Sequence, residues 1–186
     1  MAAANDYHFV TVWEVEGTCE EVTEVLGDAT GLARWWPSVY LDVREVEPGD
    51  AHGLGRVVGL YTKGWLPYTL RWQLRVVSSD PPHGFAIEAS GDFVGRGAWT
   101  LEQAGAHARV TYDWRILAEK GILRTFSFVL KPLFSANHRW AMARGEQSLR
   151  LELARRRART PEELAAIPAP PGPTFPHTTR RRAAKA

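Results

Sequence analysis

Seven stretches of the chain alternate apolar and polar residues with a period of two, and each predicts a strand with one inward face. In the first, Tyr7 to Glu16, Phe9, Thr11, Trp13 and Val15 oppose His8, Val10, Val12 and Glu14. Val39 to Val46 and Gly55 to Lys63 follow. From Tyr68 to Val77, Leu70, Trp72, Leu74 and Val76 alternate with Arg71, Gln73 and Arg75. Phe85, Ile87 and Ala89 form a shorter run. Phe93 to Glu102 turns Phe93, Gly95, Gly97, Trp99 and Leu101 one way, and Val110 to Ala118 turns Val110, Tyr112, Trp114 and Ile116 inward. Short turns join these runs, among them Pro48-Gly49-Asp50, Asp80-Pro81-Pro82 and Gln103-Ala104-Gly105. Such connections imply an antiparallel meander with one face in water. Gly95 and Gly97 fit the bends that a curved sheet needs.

Helical signals occupy two places. After the first strand, Thr18-x-x-Glu21 is a capping box for a helix through Leu26, stopped by Gly27. Asp28 to Trp36 is a second short helical stretch, ended by Pro37. Near the other end, Leu133 to Arg157 predicts a helix of roughly 37 Å. Pro132 either starts it or kinks a helix with a lead-in over Leu123 to Leu130, and the second arrangement is expected. Around its circumference, Ala136, Arg139, Ala143, Glu146, Gln147 and Arg150 form the sector suited to water. The remainder is apolar over more than half the girth, with Phe134, Trp140, Ala141, Met142, Leu149 and Leu153. A helix that apolar is one that a sheet wraps around.

Charge divides the chain. The net charge is +2, yet residues 155–186 carry eight basic side chains against Glu162 and Glu163. The preceding 154 residues hold 15 basic and 19 acidic groups, so the body is mildly acidic and carries no basic groove for nucleic acid. We therefore expect a folded domain over residues 1–158 and a disordered, Pro-rich, basic tail over 159–186. The Arg180-Arg181-Arg182 cluster is read as a solvated end, with tail-mediated interaction as an alternative. No apolar run predicts a signal peptide or stable membrane insertion, so a cytoplasmic location is expected. The single Cys19 rules out an intrachain disulfide. The six His lack metal-ligand spacing, and no phosphate loop, nucleophile elbow or His-Glu-x-x-His is present, so no metal or cofactor is expected.

This order of elements resembles the helix-grip fold of the START and pollen-allergen-like superfamily. More narrowly, it resembles the bacterial polyketide cyclase/dehydrase and lipid-transport family, SRPBCC. The residues that carry the resemblance are Trp35-Trp36-Pro37, Gly97-Ala98-Trp99, Thr111-Tyr112-Asp113-Trp114, and Asn137-His138 with Trp140, Met142 and Gly145-Glu146 in the long helix. It covers about residues 7–157 and implies an α+β fold, a curved seven-stranded antiparallel sheet wrapped around a long C-terminal helix. It also implies a cavity between sheet and helix that holds a hydrophobic, aromatic, polycyclic or lipid-like small molecule.

The inward residues agree with that cavity. Trp13, Trp36, Trp72, Trp99, Tyr112 and Trp114 are candidates for an aromatic lining, and Phe134 and Ala141 for the helix side. Asn137 and His138 fall within the apolar sector of the helix, where a ligand, a tyrosine or a backbone carbonyl must partner them. Tyr61 and Tyr112 can offer phenol hydroxyls to a ligand carbonyl, and Arg34 is a candidate for the mouth. Binding or transport is the first reading. An enzyme of cyclase, aromatase or dehydratase type, with His138 or Tyr112 as acid or base, is the second.

Overall fold

The computed structural model describes residues 6–118 and 121–175, without the side chains of residues 118 and 121–130. Strand β1 (Asp6–Glu16) is followed by helix α1 (Cys19–Gly27), a helical turn at Ala29–Gly31 and helix α2 (Leu32–Trp35). Six strands come next: β2 (Tyr40–Glu47), β3 (Val57–Lys63), β4 (Thr69–Asp80), β5 (Gly84–Gly91), β6 (Phe93–Ala104) and β7 (His107–Ala118). They form one antiparallel sheet in the order β1-β7-β6-β5-β4-β3-β2, so the first strand pairs with the last and β1 and β2 are the edges. Helix α3 (Gly121–Arg157) closes the concave face, and a short helix α4 (Pro161–Ala166) follows.

The alternation read from the sequence is the alternation of burial. Along β1, Trp13 and Val15 are 2% and 1% exposed, while Val10 and Val12 face out at 59% and 45%. Bulges interrupt the period at two places in β2 and at Val76/Ser78 in β4. The first, between Tyr40 and Asp42, brings Tyr40 opposite Thr62 on the concave side while Asp42 pairs with the outward Tyr61. Gly97 serves a closer purpose than the expected bend: a β-carbon there would lie 2.7 Å from both the Tyr112 hydroxyl and the Trp114 ring. The glycine makes room for the two largest side chains of the neighbouring strand.

Helix α3 is continuous through Pro132 and begins two residues before the expected lead-in. The missing proline N–H costs one backbone hydrogen bond, and packing of the rest of the helix outweighs it. Met142, Gly145, Ser148, Leu149, Glu152 and Leu153 are its buried side. Glu152 is a buried carboxylate that ties α3 to α2, accepting two 2.8 Å bonds from Arg34 and one of 3.1 Å from Arg156. Arg34 is therefore an inter-helix tie rather than a residue of the mouth.

The capping box of α1 is formed, with Glu21 N–H donating to Thr18 Oγ1 and Thr18 N–H to Glu21 Oε2. The Glu21 carboxylate also accepts from Arg157 at 2.7 and 2.8 Å, which locks the end of α3 to the start of α1. The Arg157 guanidinium and the Thr18 amide hold the Glu21 carboxyl down at about 2, against an ordinary value of 4.5. A depressed carboxyl contributes stability that is complete above its unfolded value and lost as pH falls through the folded one. We expect Glu21→Gln to flatten the decline in urea midpoint between pH 4.5 and 2. A decline as steep as in the parent would place the acid sensitivity elsewhere.

Helix α4 lies at the beginning of the tail. Thr160 caps α4 by accepting from the Glu163 amide, and Pro161 stands at the first helical position where its missing N–H is harmless. Beyond it, the carbonyl of Pro168 accepts from Arg155. Lys63 lies 4.8 Å from the centroid of the Phe175 ring and 3.5 Å from its carbonyl oxygen. The prolines supply stiffness and the cation an anchor, which composition alone does not reveal. Residues 176–186, with Arg180, Arg181, Arg182 and Lys185, lie outside the described residues. Among the described residues no helix is long and apolar enough to cross a membrane.

Candidate ligand-binding cavity

A cavity of about 760 Å³ lies between the concave sheet, the middle of α3 and the α1–α2 segment. It falls inside the range of small-molecule pockets, about 300–1,000 Å³. Strand alternation and bulges deliver its side chains, with Thr62 and Lys63 contributed from the end of β3.

One wall is a run of stacked aromatics. The Trp99 and Tyr112 rings are 4.0 Å apart and nearly parallel at 15°, and Tyr112 stacks on Trp114 at 5.5 Å. Trp72 continues the wall, 6.0 Å from Trp114 and 4.8 Å from Phe93, with its Nε1–H donating to Thr62 Oγ1 at 3.0 Å. Trp36 lines the cavity from the end of α2. On the helix side, Phe134, Asn137, His138, Ala141 and Met142 line it in two successive turns.

Two candidates from the sequence do not line this cavity. Trp13 faces inward as expected but lies behind the wall, 5.3 Å from Trp99 and 5.9 Å from Trp36, as a core residue. Tyr61 is on the convex face, with the Arg71 guanidinium 4.1 Å from its ring centroid. Its neighbours Leu60 and Thr62 are buried, and alternation in the middle of β3 sends Tyr61 the other way. A residue missed in the sequence replaces it. Tyr40 lines the cavity because of the bulge beside it, and its ring meets Trp36 edge-on at 5.3 Å. Lys63, also unforeseen, lies among the lining residues at 5% exposure, and burial lowers its ammonium from the ordinary value.

The polar groups differ in what they leave free. Asn137 Oδ1 accepts from the amides of Trp65 and Leu66 at 2.9 and 3.2 Å, so it fastens the β3–β4 loop to α3. Gly64 lets that side chain approach, since a β-carbon there would overlap the amide. His138 stacks on Phe9 at 4.1 Å and 16°, and its Nε2 is buried with no partner. Burial, aided by Arg139, lowers the imidazole to about 4. Tyr112 and Tyr40 are both raised by burial, and Tyr68 is pushed up to about 12 for the same reason. At neutral pH these are neutral imidazole and phenol groups, able to donate hydrogen bonds but poor at taking protons. Cys19 is buried and its thiol raised by that burial, as for an idle residue. Among the described residues no three His, Cys, Asp or Glu side chains converge as a metal site.

Gly145 of α3 is part of this construction although it touches no ligand space. A β-carbon there would sit 2.3 to 2.6 Å from three atoms of the Trp36 ring, which is itself 3% exposed. Ala is the better helix former by about 1 kcal/mol, but forcing a methyl against a fully packed indole costs typically 1–3 kcal/mol. We expect Gly145→Ala to lower stability by up to about 2 kcal/mol net in urea denaturation. A stabilised variant would mean that Trp36 moves freely.

Comparisons with known proteins follow the architecture. ZhuI aromatase/cyclase from Streptomyces sp. R1128 superposes with a TM-score of 0.64 at 19% identity, over 83% of this chain and 97% of that one. A protein from Thermus thermophilus gives 0.65 at 15% identity, over 82% and 100%. Norcoclaurine synthase from Thalictrum flavum, in complex with dopamine and hydroxybenzaldehyde, gives 0.58 at 12%, over 83% and 90%. At these identities the likeness is one of fold. A search of curated protein sequences found no match. The sequence pattern of one family spans residues 7–155, the whole sheet and nearly all of α3, and by that match the chain belongs to the polyketide cyclase / dehydrase and lipid transport family.

Proposed function

We propose that the protein binds and carries a hydrophobic small molecule with fused or multiple rings. The observation that carries this reading is the aromatic cavity itself, about 760 Å³ that the chain's own side chains leave open. Filling such a space with side chains would stabilise the fold, because empty apolar volume forfeits dispersion contacts. The aromatic rings of the wall, stacked on one another at 4.0 and 5.5 Å, offer a further flat ring aromatic contacts of the kind they already make among themselves.

A second reading, a cyclase, aromatase or dehydratase, draws on the family and on the fold shared with ZhuI. Of its two candidate residues, Tyr112 faces the cavity as a donor, whereas His138 Nε2 is closed to water-sized molecules. That closure favours carriage over acid–base chemistry.

Native mass spectrometry of protein purified under mild conditions, with organic extraction, tests the proposal. A bound apolar compound at one per chain is the expected result. A clean apo mass, together with failure to quench tryptophan emission on titration with fluorene, would overturn it.

A further inference from the structure

The two edges of the sheet are defended differently. Strand β2 carries two bulges and the charged residues Asp42, Arg44, Glu45 and Glu47, devices that keep an edge from pairing with another chain. Strand β1 has no bulge: its register with β7 runs unbroken from Asp6 to Glu16. Between His8 and Glu14 its outward residues are the exposed Val10 and Val12, with no charge between them. Side chains of α3 reveal which way the β1 backbone points. The carbonyls of Asp6, Glu14 and Glu16 accept from Lys131, Arg150 and Arg157 at 2.9, 2.9 and 3.1 Å, so these even-numbered residues direct their N–H and C=O away from β7. The N–H of Gly17, an odd-numbered position, donates the other way, to Ala106. By that period of two, His8, Val10 and Val12 present their backbone groups at the open edge, where nothing among the described residues bonds to them. Helix α3 thus closes both ends of the edge and leaves a window from His8 to Val12.

From this arrangement we infer that the β1 window pairs with the same window of a second copy of the chain, antiparallel about a two-fold axis at Val10. One register uses all the free groups and no others. Val10 then faces the second copy's Val10, His8 faces the second copy's Val12, and each pair exchanges both backbone bonds. The two seven-stranded sheets become one. Setting Val10 opposite the second copy's Val12 instead would require the Glu14 carbonyl, which Arg150 already occupies. Charge selects the same partner. Just outside the window, Asp6 lies opposite the second copy's Glu14, and these two acids meet two cations: Lys131 at the Asp6 carbonyl and the second copy's Arg150 at its Glu14 carbonyl. Val10 and Val12 of both copies leave water together on the convex side, and neither lines the cavity, so the inference stands apart from the proposed function.

Sedimentation velocity of the full chain from about 1 μM to 1 mM should show a monomer–dimer equilibrium, as for an interface built on one strand pair. Val10→Lys sets two ammonium groups face to face on the axis and removes the valine contact. It should weaken dimerisation roughly tenfold or more and leave the circular dichroism spectrum unchanged, because the side chain is exposed in the monomer. Cysteine cross-linking reads the register, with Cys19 buried and out of play. Opposed residues of such a pair have α-carbons about 5.5 Å apart, within disulfide reach, so Val10→Cys should give a covalent dimer on mild oxidation. Val12→Cys should not, since the two copies of that residue stand four positions apart along the seam, roughly 13 Å. A monomer at every concentration would overturn the inference and leave the edge to a strand of a different protein. A dimer indifferent to Val10→Lys, or one cross-linked equally through positions 10 and 12, would overturn it as well.

Discussion

Trp13→Ala loses about 3–5 kcal/mol of stability and leaves ligand affinity in the residual folded protein unchanged. The indole is 2% exposed and packs between Trp36 and Trp99, so its removal opens a large void with no flexible neighbour to refill it. Large aromatic truncations in such surroundings cost that much. The affinity half of the prediction follows from position: Trp13 supports the cavity wall and does not form its surface. Urea denaturation followed by circular dichroism gives the stability, and fluorene titration at low denaturant gives the affinity. A loss below about 1 kcal/mol would mean that the wall does not lean on Trp13. An affinity loss as large as that of Trp99→Ala would place Trp13 at the surface after all.

Acid weakens the fold through His138 well before the carboxylates titrate fully. The imidazole is held at about 4 in the folded chain, against 6.5 when free. A base whose folded value is depressed is neutral in the fold, so the unfolded chain takes up its proton first as pH falls. Stability is therefore intact above pH 6.5 and declines from there to about 4, where the loss from this one group reaches about 3 kcal/mol. His138→Phe keeps a ring stacked on Phe9 and has no proton to bind. Its stability should be nearly flat between pH 6.5 and 4 where that of the parent falls. Parallel declines in the two proteins would show that the parent histidine is charged inside the fold. The buried, unpartnered Nε2 supplies the physical cause, since no acceptor is placed to stabilise a second N–H.

Legibility in the sequence followed the regularity of the backbone. Where strands kept their period of two, the inward residues were readable: Trp72, Trp99, Tyr112 and Trp114 line the cavity as alternation requires. Tyr40 was hidden because one extra residue at a bulge reverses the faces of β2, and a bulge leaves no mark in apolar periodicity. Tyr61 has a phenol suited to a ligand carbonyl, but the parity of its own strand turns it outward. Trp13 shows a different loss, since alternation separates inside from outside but not a cavity wall from the packing behind it. Asn137 and His138 were correctly placed on the inner sector of α3, yet their partners lie on β1 and the β3–β4 loop, far along the chain. The Arg34–Glu152 tie is equally remote, its members 118 positions apart. Long-range pairing of polar side chains is the part that local pattern does not encode.

The pairing of β1 with β7 bears on how the chain acquires its shape during synthesis. Asp6 lies opposite Leu117, so the first strand has no sheet neighbour until the seventh has been made. At roughly 5–20 residues per second, that interval is on the order of 5–20 s. Through it, β1 is an apolar segment in search of an edge, and β2 to β6 form a meander with a vacant place at its growing end. Helix α3, which supplies the other half of the enclosure, is made later still. Closure of the β1–β7 seam thus waits for β7 to be made, and contacts of such high sequence separation make it a slow step. In the cell, the exposed aromatic face of the unfinished sheet is what a chaperone would meet.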